Sequence, residues 1–435
     1  MSQLTTFVKP KPNGFIMKVL TPINRILNLK GISFLKWIPL VNKFPIIKGL
    51  CDITKIELNK EDEITLKNVI NAENITFIGP NHPEFYTDWM LDKEISSRFA
   101  PKMASWATHN VVNGMGKNMQ AFWLRNNLIA QIPGSGNKDA KDYSIEHAIK
   151  GHGVLLHPEG HVTWHSDKIA PLYSGIFDMA YQAYLKTEGK KPVYLVPVVW
   201  KLKFNKNINQ ELHQEIDYIE NNLKLKYSFN KNIENRLLNL FKNILEKINN
   251  KYELNVLFYN ITQYHEDIKT TLLSKLNYLY SIDENKNGND RVKILTKILR
   301  NSSKFDYIYE KKVLKDFNKL LAFDFSYFDN EYLTQENIAE ILKNIRIQFC
   351  TKGIRNIIHK FIPIPVSNRT AYIKVPPPIL LNDIIQQHSE IDDIKNEALN
   401  KMKTSLQKTL DDINQEFVKN NKVIFYNNIF KHSET

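Results

Sequence analysis

Two short segments hold the residue types that acid–base chemistry needs. The first is Gly79-Pro80-Asn81-His82-Pro83-Glu84-Phe85-Tyr86-Thr87-Asp88, directly after the apolar run from Ile75 to Ile78. A histidine at a strand end, with a carboxylate a turn or two later, can form a base and its orienter. The carboxylate fixes the ring tautomer and stabilises the imidazolium, and the other nitrogen takes a proton from a nucleophile. His82 and Asp88 are that pair here, separated by five residues, with Glu84 and Asp92 as alternative orienters. Taken alone, the pair fits better a histidine that only hydrogen-bonds a proline-rich turn.

The second segment is His157-Pro158-Glu159-Gly160-His161-Val162-Thr163, again directly behind an apolar run, Val154 to Leu156. His157, His161 and His165 recur at a spacing that chelates zinc when carried on a helix. Pro158 and Gly160 oppose a helix, and Glu159 is not placed as in zinc-protease motifs, so no metal is expected. Gly134-Ser135-Gly136 lacks the Lys-Ser/Thr ending of a phosphate loop and reads as a tight turn near the pocket. Trp106, Trp123 and Trp164 suit core packing better than the wall of a substrate channel.

Both segments must sit on a scaffold that brings strand ends together. The apolar runs at 75–78, 128–132, 154–156 and 193–199 read as buried strands, each near Gly, Pro or Asn. Stretches of helical character at 88–99, 110–126 and 144–150 alternate with them. That alternation predicts an α/β sheet with parallel components. From 205 to 365 the period becomes helical, with Ile233, Leu237, Leu240, Phe241, Ile244, Leu245 and Ile248 on one face. Val292, Leu295, Ile298 and Leu299 repeat the pattern after a turn-like stretch at 284–290. Strand texture returns at 370–379, followed by an amphipathic helix carrying Ile391, Ile394, Ala398, Met402, Leu406, Leu410, Ile413 and Phe417.

The chain has 435 residues, enough for more than one lobe, and a hydrophobic fraction of 43% that supports a sizeable core. Lys and Arg number 59 against 46 Asp and Glu, a formal charge of +13 that favours anionic partners. The lysines are scattered, so charge alone does not choose among nucleic acid, anionic lipid and phosphate-bearing substrates. Two distant cysteines, Cys51 and Cys350, imply a reducing compartment without a disulfide framework. No apolar run reaches the roughly 20 residues that span a bilayer. Residues 14–50 mix apolar side chains with recurrent Lys and Arg and are cut by Pro22, Pro39 and Pro45. That texture suits short amphipathic helices lying on a membrane, with Phe34 and Trp37 at the interface, or packing on the next domain.

In order along the chain, Asn81-His82-x5-Asp88, Pro158-Glu159-Gly160, the segment 171–180 and the Val196-Pro197-Val198 strand resemble the glycerolipid acyltransferase family. These are the relatives of 1-acyl-glycerol-3-phosphate acyltransferase, and the resemblance covers about residues 70–200. The family pattern is Asn-His-x4-Asp after the first strand, then Phe-Pro-Glu-Gly-Thr-Arg-Ser, a Lys-x-Gly helix and a Val-Pro-Val strand. Three departures stand out. One more residue separates His82 from Asp88, Val162 replaces the arginine of the Glu-Gly motif, and Gln131-Ile132-Pro133-Gly134 stands where a middle motif ends in arginine.

The resemblance implies an α/β fold, a mixed sheet flanked by helices, with a large helical insertion. Residues 1–60 would be an amphipathic membrane-surface segment, 61–204 the core, 205–365 the insertion, and 366–435 a closing strand with a C-terminal helix. It implies His82 as general base, Asp88 as its orienter, and no metal or organic cofactor. The substrate pocket would draw on Asn81, Pro158, Glu159, Gly160 and Gly134, with Lys138 or Arg125 replacing the missing arginines. The implied donor is acyl-CoA or acyl-carrier protein. The acceptor is a lysophospholipid or glycerol phosphate, or alternatively an alcohol without phosphate. The implied setting is peripheral, on an anionic cytoplasmic membrane face, with no nucleic-acid partner. A catalytically silent lipid-binding scaffold is the reading from another class.

Overall fold

The computed structural model describes residues 7–32, 45–113, 116–132, 137–225, 232–280 and 308–431. It divides into two compact units, Met1–Lys206 with Phe361–Lys422, and Asn207–Lys360 with Val423–Thr435.

The first unit is an α/β layer structure around an eight-stranded, mostly parallel mixed sheet. Its strands are β1 (Ile53–Leu58), β2 (Ile75–Pro80), β3 (Ala104–Thr108), β4 (Leu128–Gln131), β5 (Val154–Leu155), β6 (Val193–Phe204), β8 (Arg369–Lys374) and β9 (Ile379–Leu380). β7 (Tyr332–Thr334) and β10 (Phe425–Asn427) belong to the second unit. The spatial order is β1-β8-β6-β2-β5-β3-β4, with β9 also paired to β6. β8 and β9 run antiparallel to β6, and the other pairings are parallel.

Helices cover both faces of the central strands, which is why β2 and β6 read as unbroken apolar runs. Ile75, Phe77, Ile78, Val193, Leu195, Val196, Val198 and Val199 are all fully buried. The Ile391–Lys419 helix packs on β6 through the stripe Ile394, Ala398, Met402, Leu406, Leu410, Ile413 and Phe417. Gly79 lets this helix approach β2, since a Cβ there would lie 2.0 Å from the Met402 methyl.

Two strands lie outside the apolar runs. β3 is short and partly polar. β1 is an edge strand carrying Thr54, Lys55 and Glu57, the charged pattern edge strands adopt. Residues 53–58 were expected within the membrane-surface segment. They are instead part of the sheet, because the outer edge of β8 takes β1 as its parallel partner.

The second unit is helical: Asn209–Leu223, Ile233–Tyr252, Ile261–Tyr280, Ile308–Leu321, Gln335–Phe349 and most of Ile354–Phe361. The stripe from Ile233 to Ile248 is buried throughout. The 284–290 turn and the Val292–Leu299 stripe fall outside the described residues. β10 pairs antiparallel with β7, so Phe425–Asn427 complete this unit rather than the sheet domain.

Candidate active site

β2 and β5 are parallel neighbours, Phe77 opposite Val154 and Ile78 opposite Leu155. The loops leaving their carboxyl ends therefore emerge side by side, where open α/β sheets gather ligands. One loop carries His82 and the other His157.

Three buried contacts fix the first loop. The Asn81 side chain imitates a strand residue: its Oδ1 accepts from the Trp200 N–H at 2.7 Å and its Nδ2 donates to the Trp200 carbonyl at 3.1 Å. Glu159 Oε1 accepts from the His82 N–H at 2.6 Å, and its Oε2 from the Ala170 N–H at 2.7 Å. Arg369 of β8 grips Glu84 with both guanidinium nitrogens, at 2.7 and 3.1 Å. The loop then kinks at Tyr86, whose φ is 73°, and enters the Thr87–Phe99 helix. An outlier of that kind is strain held by its surroundings.

Asp88 lies in the first turn of this helix, and Oδ2 meets His82 Nδ1 at 2.8 Å. The same oxygen accepts from the Glu84 N–H at 3.1 Å. His82 Nε2 takes part in no hydrogen bond among the described residues. One helical turn further on, Asp92 Oδ2 meets His157 Nε2 at 3.0 Å, while His157 Nδ1 meets the Asn81 carbonyl at 3.0 Å. The two rings stack with centroids 4.0 Å apart and planes 18° from parallel. Two histidine–aspartate pairs thus stand face to face.

Their titration differs. Burial, then His157 and His161, hold the His82 ring well below 6.5, which keeps it neutral and able to accept a proton. Burial would lower His157 too, but Asp92, Asp88 and the Asn81 carbonyl outweigh it and hold the ring at about 9. Burial also raises Asp88 and Asp92, against the pull of the His157 charge. Glu159 is pushed by burial to about 7, against its two N–H donors.

His82 opens onto a cavity of about 740 Å³, within the range of small-molecule sites. Tyr86, Trp89, Trp106, Ile176 and Met179 supply apolar wall. Gly160 lines it with φ +70°, and a Cβ there would lie 2.6 Å from the Tyr173 ring, which also lines the cavity. Among the described residues Lys141 is the only Lys or Arg in the lining, and its Nζ lies 3.1 Å from Asp178 Oδ2.

No family model matches the chain, and no curated protein matches it.

Of the residues singled out from sequence, His82, Pro158 and Gly160 line the cavity, and Asp88 backs His82. Asn81 and Glu159 face inward and position backbone instead. Lys138 and Arg125 are exposed and absent from the cavity wall, and the cation there is Lys141, one helical turn from Lys138. Gly134 lies outside the described residues. Trp106 lines the cavity, whereas Trp123 packs edge-on against Trp89 at 4.9 Å, and Trp164 is buried.

His157, His161 and His165 do not converge. Among the described residues the only group with ligand atoms close enough for a metal is His82, Asp88 and His157, within 4.8 Å. Its donor set suits a cation poorly, because both His157 nitrogens already face oxygen acceptors and the ring is held protonated. The stacked pair was missed in the sequence. One signal for it was present: Asp88 and Asp92 are four residues apart on one helix, so both carboxylates share a face.

Proposed function

We propose that this chain transfers a fatty acyl group from the thioester of acyl-CoA or acyl-carrier protein to a hydroxyl of a lysophospholipid or glycerol phosphate, with His82 as general base. The observation that carries this reading is the 2.8 Å contact between His82 Nδ1 and Asp88, on a neutral ring whose Nε2 remains available beside the cavity. Nε2 takes the proton of the acceptor hydroxyl as its oxygen attacks the thioester carbonyl. The tetrahedral intermediate collapses with cleavage of the carbon–sulfur bond, and the proton passes from His82 to the departing thiolate. Backbone N–H groups of the loops that carry His82 and His157 are the donors such an oxyanion requires. The reaction needs no metal or organic cofactor.

The order of the motifs resembles that of the glycerolipid acyltransferases, and His157 stands where their Phe-Pro-Glu-Gly pattern has phenylalanine. An acceptor without phosphate is the second reading. It is favoured by a mostly apolar wall whose lysine is already paired with Asp178.

The Gly14–Ile23 helix and the π-helical Asn24–Lys30 that continues it support work at a membrane surface. They expose Phe15, Val19, Ile23 and Ile26 beside Lys18, Arg25 and Lys30. Phe34 and Trp37 fall outside the described residues. No helix among the described residues is long and apolar enough to cross a membrane.

Purified protein given acyl-CoA and a panel of lysolipids and alcohols should release free CoA, and His82→Ala should lower that rate by about 10²–10⁴-fold. Unchanged turnover in His82→Ala overturns the mechanism. Lipid binding without turnover on any acceptor would return the chain to a scaffold.

A further inference from the structure

The Ile354–Phe361 helix is turned inside out relative to a normal surface helix. Ile354, Ile357, Ile358 and Phe361 are 78%, 52%, 49% and 50% exposed, and their spacing puts them on one face. The buried residues are polar, Asn356 at 4% and His359 at 3% exposed. Asn356 Oδ1 accepts from the Tyr218 hydroxyl at 2.8 Å and from Arg346 Nε at 3.2 Å. Its Nδ2 donates to Asn222 Oδ1 at 2.8 Å and to the Lys352 carbonyl at 2.9 Å. Rotating the helix to bury its isoleucines would break this network and leave buried polar groups unmatched. The apolar face is therefore held outward by the fold.

Helical spacing places Arg355 and Lys360 on the two flanks of that face, with Lys352 just before the helix, and all three are exposed. The surrounding chain is entirely without acid: no Asp or Glu occurs between Glu340 and Asp383. A row of bulky apolar side chains bordered by cations matches the interfacial region of an anionic bilayer, where hydrocarbon takes the apolar row and headgroups meet the cations. The row is a convex helix surface, which a fluid lipid phase accepts without a preformed groove.

We propose that the Ile354–Phe361 helix is a lipid-inserting surface that docks the helical unit onto an anionic membrane. This surface is additional to the exposed Gly14–Ile23 helix and does not rest on the acyl-transfer reading, since insertion and turnover are read separately.

The test uses the full chain with Ile358→Cys carrying an environment-sensitive fluorophore. Cys51 and Cys350 are buried, so the label goes to the new thiol. Adding phosphatidylcholine–phosphatidylserine vesicles should shift the emission to the blue, and pure phosphatidylcholine should do so more weakly. Ile354→Asp with Ile357→Asp in the labelled protein should weaken vesicle affinity about tenfold or more. The thermal midpoint should hold, because these side chains face solvent. Vesicle pelleting without any shift at position 358 would overturn the proposal. A shift produced by an acidic carrier protein but not by vesicles would overturn it too, and would give the face to a protein partner.

Discussion

His157 lies flat against His82, ring centroids 4.0 Å apart, while its two nitrogens face the Asn81 carbonyl and Asp92 Oδ2 at 3.0 Å each. A neutral imidazole has one N–H, so two oxygen acceptors select the doubly protonated ring. A largely shielded cation is thereby held against the candidate base. Burial first, and then this neighbouring charge opposing a second one on His82, keep that ring deprotonated at neutral pH.

The pH dependence of kcat/KM should show it. With His82 held below 6.5, the acid limb of the profile should lie below pH 6.5. His157→Phe keeps an aromatic ring in the stack but removes the charge. The limb should then move upward, towards 6.5, and an unmoved limb would separate His157 from the tuning of His82.

The same ring links stability to pH. Its value rises from 6.5 in the unfolded chain to about 9 in the folded one, so the folded state binds more protons between these limits. The stabilisation is complete below pH 6.5 and is lost as pH rises through about 9. Denaturant titrations of the parent and of His157→Phe should therefore differ most at or below pH 6.5. The gap should close towards pH 9, and a gap constant across that window would contradict the charged state.

Lys141 separates the two acceptor readings. Lys141→Met should raise KM about tenfold or more for a phosphate-bearing acceptor, the size of one lost charge-assisted contact, and leave a neutral acceptor unchanged. Equal KM values for both acceptors in parent and variant would favour the alcohol without phosphate.

Arg369 and Glu84 form a buried pair that braces the loop between His82 and Asp88. Arg369→Met takes the guanidinium away from a buried carboxylate and should cost about 3–5 kcal/mol of stability. The double variant with Glu84→Gln should recover part of that loss. Urea unfolding of both single variants and of the double gives the coupling, and additive losses would argue against the pair.

Local order was legible in the chain. β2, β4, β5 and β6 are announced by apolar runs, because strands covered on both faces need no polar alternation. The Ile391–Lys419 helix is announced by its stripe, and His82 with Asp88 by position at a strand end. β1 and β3 carry no such run, since an edge strand and a short, partly polar one are stabilised by their neighbours rather than by their own pattern.

Partner choice was another matter. Asp88, Asp92 and Glu84 all lie within ten residues of His82, and sequence spacing gives each a claim on it. The adjacency of β2 and β5 brings in His157, which takes Asp92. The antiparallel pairing of β8 with β6 brings in Arg369, which takes Glu84. The stripe Ile354, Ile357, Ile358 and Phe361 has the period of any core-facing helix, and the buried bonds of Asn356 turn it outward. Residue types and local period determined what chemistry the chain carries. Contacts between residues distant in sequence decided which carboxylate serves which histidine and which face meets solvent, because both depend on strand neighbours and buried polar partners that local spacing does not encode.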